Sequence, residues 1–568
     1  MSDMARRNFL QNMSAGFIGA ALTGTAARVS GSENRPPNVL FIITDDQGYG
    51  DLGCHGNPVL KTPCLDRLHG ESLRLTQFHV CPVCSPTRAC LMTGRYNYRT
   101  GVVDTYAGRS MMDPGETTLA ELLKQGGYCT GIFGKWHLGD NWPMRPMDRG
   151  FEESLVHRGG GIAQPSDPEF YEREDTYFNP MLQHNGQQKR YTGYCTDIFT
   201  EGAIQFMESR KGRPFFAYVA YNAPHTPLQV PEEDAAPYKA AGLQEETALV
   251  YGMIANVDRN IGRLLAFLED SGLKDNTLVL FMTDNGSQQL KGEDRYNAGQ
   301  RGWKGSVYQG GIRVPCFLRW PEVWAGGRDI NRIAAHIDLA PTLLEICGVA
   351  PENRPEFDGI SLLPLLFGNT SAESWSDRNL FFQWHRGDAP EAFKNSAVRS
   401  QRWKLVNGTE LYDMEEDPGE KKGTAAEHPD VVREMRLAYQ RWFDDVGATR
   451  GYEPVRIHLG GAPENPVTLT RQDWRGADNW TGNDAGYWEV LVEASGTYTL
   501  TVSFAPCLKD AVLHMRLDDS EVTCPVSAKA DKAVLEEVIW KAGAHRLVCY
   551  LDCEGEHTGT RFVTVCRA

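Results

Sequence analysis

The strongest restriction on the fold comes from two seven-residue apolar runs that both end in acid, Asn38-Val39-Leu40-Phe41-Ile42-Ile43-Thr44 and Thr277-Leu278-Val279-Leu280-Phe281-Met282-Thr283. Neither run alternates polar with apolar side chains. Runs of this kind belong to strands covered on both faces, as in a parallel sheet with helices on each side. The expected class is therefore α/β, with a large mixed, mostly parallel sheet flanked by helices. The first run leads into Asp45-Asp46 and the second into Asp284-Asn285. Ligands of open α/β sheets collect beyond the carboxyl ends of the strands. Acids and an amide gathered there are hard oxygen donors suited to Ca²⁺ or Mg²⁺, and donor type alone does not separate the two ions. Taken singly, each acidic pair reads equally as a solvated turn.

Between these runs lies Cys81-Pro82-Val83-Cys84-Ser85-Pro86-Thr87-Arg88-Ala89-Cys90. The pattern predicts a reactive side chain at a helix start, where free N–H groups and the helix dipole favour an anion and Arg88 adds a cation one turn inside. Alone, Cys84 reads equally as a small buried hydrophobe or as half of a disulfide with Cys81. No Cys/His pair follows at zinc-finger spacing, so the spacing of Cys81, Cys84 and Cys90 does not indicate zinc. Further on, Gly134-Lys135-Trp136-His137-Leu138-Gly139 reads as a strand opening into a loop, with the Lys-x-His alternation putting both side chains on one side of an extended backbone. Asn222-Ala223-Pro224-His225-Thr226-Pro227 follows a third buried run and holds His225 between prolines.

Cys84-Ser85-Pro86-Thr87-Arg88 resembles the C-x-P-x-R signature of the formylglycine-dependent sulfatases, the type I sulfatases of the alkaline-phosphatase-like superfamily. Gly134 to Gly139, His225 and Gly302-Trp303-Lys304-Gly305 resemble further family segments in the same order, and together they span residues 36 to about 445. The resemblance implies that Cys84 is oxidised to formylglycine (3-oxoalanine), whose hydrate is the nucleophile. It implies one Ca²⁺ held by Asp45, Asp46, Asp284, Asn285 and the modified Cys84. It implies catalytic roles for Cys84, Arg88, Lys135, His137, His225 and Lys304, with Lys135, His225 and Lys304 also binding the substrate sulfate. Trp384 and His385 lie where relatives read the sugar, although an aromatic and an imidazole serve packing as readily. His336 and Asp338 are read as structural. The implied partners are a sulfated oligosaccharide or polysaccharide and a formylglycine-generating maturation enzyme. Arylsulfatase action, phosphonate or phosphodiester hydrolysis, and inactive glycan binding are the alternatives.

The 568 residues exceed one ordinary core. Residues 1–27, with Arg6-Arg7 ahead of a short Gly/Ala-rich apolar run, look like a twin-arginine export signal, which implies the twin-arginine export machinery and a periplasmic or secreted product. That run is too short for a permanent membrane span. Residues 36–370 are expected to form the catalytic domain and 371–450 a small C-terminal α+β subdomain ending in a helix near Pro429 to Val446. Residues 456–568, with alternating runs such as Tyr487 to Val492, are expected to form an appended all-β sandwich or jelly roll. Asp473-Trp474 and Asn479-Trp480 read as sugar-stacking pairs or, preferably, as core. A formal net charge of −16 argues against nucleic acid as a partner.

Overall fold

The computed structural model describes residues 35–162, 164–290, 295–353, 355–368, 375–476 and 485–568. The export-signal segment and the Asn479-Trp480 pair lie outside the described residues.

The largest sheet has ten strands: β1 (Asn38–Thr44), β2 (Leu73–His79), β3 (Cys129–Lys135), β4 (Glu153–His157), β5 (Met181–His184), β6 (Gln187–Arg190), β7 (Phe215–Ala220), β8 (Thr277–Thr283), β9 (Cys316–Arg319) and β10 (Arg328–Ala335). Their spatial order is β10-β2-β9-β8-β1-β7-β3-β4-β5-β6. The central strands β8, β1, β7, β3 and β4 run parallel, while β9, β5 and β6 pair antiparallel with their neighbours. The sheet is therefore mixed and mostly parallel, as the uninterrupted apolar runs require.

The period of two along β1 explains why both faces had to be apolar. Val39, Phe41 and Ile43 enter one core with Leu339 and Leu343, and Leu40 and Ile42 enter the other with Val257, Ile261 and Leu264. Truncating a ring such as Phe41 to Ala would cost about 3–5 kcal/mol. The helices include α1 (Cys84–Thr93), α2 (Leu119–Gln125), α3 (Cys195–Ser209), α4 (Glu245–Asp270), α5 (Leu339–Ile346) and α6 (Pro429–Ala448). Helix α2 starts on a reciprocal capping box between Thr118 and Glu121, which satisfies two end donors at once. All ten residues of α1 are buried, and Gly94 ends it at φ 67°.

A four-stranded antiparallel sheet follows, made of β11 (Leu380–Gln383), β12 (Ser396–Arg399), β13 (Trp403–Val406) and β14 (Glu410–Asp413). It packs with α6 in a core containing Phe382, Leu405, Tyr439 and Trp442. From Ile457 to Arg567 the chain forms a six-stranded and a four-stranded sheet. Their inner residues, among them Trp488, Val490, Leu500 and Val565, share one core, which gives a β-sandwich. Trp474 is buried in that core beside Trp488, so it packs rather than stacks on a ligand.

Candidate active site

Strand register builds the site. Thr44 lies opposite Thr283, so Asp45 and Asp284 emerge side by side, while Ile43 lies opposite Ala220 and Ala220 opposite Gly134. The segments carrying His225 and Lys135 therefore leave the sheet at the same edge. At that edge three cations face three carboxylates. Lys135 Nζ stands 2.5 Å from Asp45 Oδ2, Lys304 Nζ 2.6 Å from Asp46 Oδ1, and Arg88 Nη2 2.8 Å from Asp284 Oδ2. Asn285 Nδ2 donates to Asp46 Oδ1 at 2.8 Å. Asp51 fixes the loop behind them: it accepts from Gly48 N and Ser287 Oγ and pairs with Arg295, which also donates to the Asp46 carbonyl.

The donor set fits a hard divalent cation. Among the described residues neither Asp45 Oδ1 nor Asn285 Oδ1 has a hydrogen-bond partner, although both are buried. Ligand atoms of Asp45, Cys84 and Asp284 lie within 4.8 Å of one another, as do those of Asp45, Asp46 and His225. Burial and the neighbouring Asp45 charge push the Asp284 carboxyl up to about 7 against the pull of Arg88. A divalent cation relieves this crowding of like charge. Asp46 is also fully buried, but Lys304 and His225 overcome that penalty and hold it well below the usual carboxylate range.

Cys84 opens α1 at its first helical position, after an extended Val83. Burial raises its thiol above the ordinary value despite the nearby Lys135 and Lys304, so the unmodified side chain is not an activated thiolate. His137 Nδ1 faces the sulfur at 3.5 Å, and its Nε2 meets the Thr105 carbonyl at 2.7 Å. A carbonyl only accepts, so Nε2 bears the proton and Nδ1 presents a lone pair to position 84. His225 Nδ1 likewise donates to the Thr226 carbonyl at 2.7 Å, which leaves Nε2 facing Asp46 Oδ2 at 3.9 Å. Burial keeps both imidazoles neutral: it moves His137 well below its ordinary value, aided by Lys135, and His225 down to about 4. Gly160 and Gly161 make room for these rings, since a Cβ there would stand 2.7 Å from His137 Cε1 and 2.9 Å from His225 Nδ1.

One local expectation is corrected. Lys135 is the last residue of β3, and His137 adopts φ 62°, so the two do not alternate along an extended backbone. A left-handed turn brings the imidazole over α1 instead.

Above this floor the pocket opens into a cavity of about 800 Å³. Cys84, His137, His225 and Lys304 face it, together with Gln164, Arg301, Trp303, Tyr308, Trp384 and Arg386. Of the two expected sugar-reading residues, Trp384 lines the cavity and His385 is not among its lining residues. Trp384 Nε1 donates to Asp104 Oδ1 at 2.8 Å. Arg386 is half exposed, reaches Asp104 Oδ2 at 3.5 Å and lies over the Tyr106 ring. Sequence reasoning missed Arg386, although its two-residue spacing from Trp384 was a usable sign that both share one side. The β-sandwich also reaches this rim. Gln472 Nε2 donates to the Thr105 carbonyl at 3.2 Å, the same oxygen that holds His137. Arg475 bridges the Gly108 carbonyl at 2.6 Å and Asp388, which Arg109 also grips.

A mixed, largely parallel sheet with acids and cations gathered at the carboxyl ends of its central strands puts the chain in the class of α/β hydrolytic enzymes with an alkaline-phosphatase-like fold. Family comparison narrows the class. The sulfatase model matches residues 37–349, and the model for the C-terminal part of N-sulphoglucosamine sulphohydrolase matches residues 299–440. The chain belongs to the sulfatase family, and it is a sulfuric ester hydrolase. It is 31% identical to human arylsulfatase A over 489 residues, covering 76% of this chain and 92% of that protein. Identity to human N-acetylgalactosamine-6-sulfatase is 31% over 405 residues, covering 66% and 74%. The crystal structure of Ps i-CgsB in complex with k-i-k-neocarrahexaose is similar at a TM-score of 0.66 and 30% identity, covering 73% of this chain and 94% of that one.

Proposed function

We propose that the protein removes sulfate from a sulfated carbohydrate outside the cytoplasm, using formylglycine made from Cys84 and one bound Ca²⁺. The observation that carries this reading is the enclosure of the Cys84 side chain by Lys135, Lys304, His137 and the carboxylates of Asp45 and Asp284 at the floor of a cavity large enough for a sugar ring. The carbohydrate assignment is supported by relatives named for N-acetylgalactosamine 6-sulfate and by one solved with neocarrahexaose. Trp303, Tyr308 and Trp384 offer ring faces for sugars, and Arg301 and Arg386 offer charge for an anionic chain.

Asp45, Asp46, Asp284 and Asn285 would hold the calcium, and the ion's charge would draw electrons from a sulfate oxygen. Formylglycine at position 84 would supply, as its hydrate, a nucleophile able to let sulfate go again. Lys135, Lys304 and Arg88 offset the charge on the sulfuryl oxygens at the buried floor of the pocket. Burial opposes the Lys304 ammonium, but Asp46 overcomes it and holds the group charged, so Lys304 offers a fixed positive charge to the leaving oxygen. Neutral His225 accepts through Nε2 and orients a substrate hydroxyl. His137 Nδ1 takes a proton from the side chain at 84 while the Thr105 carbonyl steadies the ring. Within this reading residues 36–370 and 371–450 act as the catalytic unit, 456–568 as an accessory domain, and residues 1–27 as the address read by the twin-arginine machinery. Among the described residues no helix is long and apolar enough to cross a membrane.

The test is release of inorganic sulfate from a panel of desalted sulfated oligosaccharides, by protein co-produced with a maturation enzyme. Release confined to one glycan class, abolished by chelator and restored by Ca²⁺, is the expected result. Cleavage of aryl sulfates or phosphonate esters alone, with position 84 converted, would overturn the carbohydrate assignment.

A further inference from the structure

On the side of α1 away from the pocket, a second cluster of ligand-type side chains is buried beside the domain core. Cys81 precedes the helix, Cys90 lies within it, Asn97 follows it, and His336 comes from the turn before α5, 255 residues after Cys81. Cys81 Sγ stands 3.2 Å from His336 Nε2, 3.9 Å from Cys90 Sγ and 3.8 Å from Asn97 Oδ1. The sulfur and imidazole ligand atoms all lie within 4.8 Å of one another. Exposure is 2% for Cys81, 0% for Cys90 and His336, and 3% for Asn97. Asn97 Nδ2 donates to the Val102 carbonyl at 2.9 Å, which turns its oxygen toward the sulfurs. His336 stacks on Phe382, which holds its ring in place.

We infer that Cys81, Cys90, His336 and Asn97 form a closed structural site for a thiophilic divalent cation, zinc, separate from the calcium site. Tetrahedral zinc with bonds of about 2.3 Å to sulfur and 2.05 Å to nitrogen has edges of about 3.8 Å between sulfurs and 3.5 Å between sulfur and nitrogen. The observed 3.9 and 3.2 Å are close to that frame before any ion is added. Charge supports the same ion: two thiolates and a neutral imidazole cancel a double positive charge, the condition for burying ions in a dry interior. Softness separates the two sites, because thiolates select zinc where carboxylates select calcium. The ion would pin both ends of the helix that presents Cys84 to the start of α5. Sequence spacing gave no such sign, because the third ligand arrives only through tertiary packing.

The test is metal analysis of the Cys84→Ala protein, which lacks the pocket thiol, after dialysis into calcium buffer freed of zinc and other transition metals. The expected result is about one zinc per chain. X-ray absorption at the zinc edge should give two sulfur neighbours at about 2.3 Å, and cobalt exchange should give intense sulfur-to-cobalt charge-transfer absorption. Cys90→Ser should remove the zinc and leave bound calcium unchanged. If that variant does not fold, the sulfur count in the absorption spectrum decides alone. Absence of zinc, a sulfur count of one or none, or a Cys81–Cys90 disulfide in the peptide map would overturn the site.

Discussion

The floor and the rim of the pocket are built on opposite principles. The floor consists of charges with almost no exposure: Lys135, Asp45 and Asp284 are all at 0%. Each is delivered by the end of a buried strand and locked by a short ion pair. The rim is made of partly exposed side chains such as Arg301 and Arg386, held by contacts between distant segments. In the proposed reading, a preorganised, desolvated floor would perform the same chemistry whatever is attached to the sulfate. An open rim of aromatic rings and guanidinium groups can change its preferences without disturbing that chemistry.

Variants should separate the two layers. Cys84→Ala removes the proposed nucleophile and should lower kcat by at least about 10⁴-fold with the melting temperature preserved, as read by sulfate release and thermal unfolding. If the floor were only a binding site, that loss would be modest. Lys304→Ala should cost about 10²–10³ in kcat/KM, and Lys304→Arg should not restore it, because a planar fork does not replace a point charge between two carboxylate oxygens.

The acid limb of stability offers a second comparison. His225 has a folded value of about 4 against an ordinary 6.5. Its folded value is depressed, so the unfolded chain binds the proton first. The stability it contributes is complete above pH 6.5 and is lost as the pH falls toward 4, by about 3 kcal/mol. His225→Gln should flatten the melting-temperature profile across that window, while the rim variant Arg386→Ala should run parallel to the unmutated protein. The smallest effect tests the link between the layers. Gln472→Ala removes one hydrogen bond, of about 1 kcal/mol, to the carbonyl that orients His137. It should reduce kcat about five-fold with KM unchanged, whereas Arg386→Ala should raise KM for a polyanionic glycan with kcat unchanged. A rise in KM for Gln472→Ala would mean that the sandwich acts on substrate binding and not through His137.

Most of the floor was legible because each part is written locally. An apolar run followed by acid names a buried strand and its edge, and β1 and β8 have the limits those runs predict. The helix near Pro429 was read to Val446 and extends two residues further, to Ala448. His137 was named from its motif, but its left-handed turn was not, since φ there depends on the fit against Thr105 and α1. Of the Gln383 to Arg386 stretch, Trp384 was named and lines the pocket, His385 was named and does not, and Arg386 was passed over.

The sequence by itself determined the α/β class, the site-bearing strand ends and the family, because hydrophobic period and motif spacing are properties of neighbouring residues. Tertiary structure alone decided the rest. Trp384 meets Asp104 across 280 residues, Gln472 meets Thr105 across 367, and His336 meets Cys81 across 255. No local pattern encodes such contacts. They exist because segments far apart in sequence fold into common or adjoining cores, so that their polar groups find partners in one another.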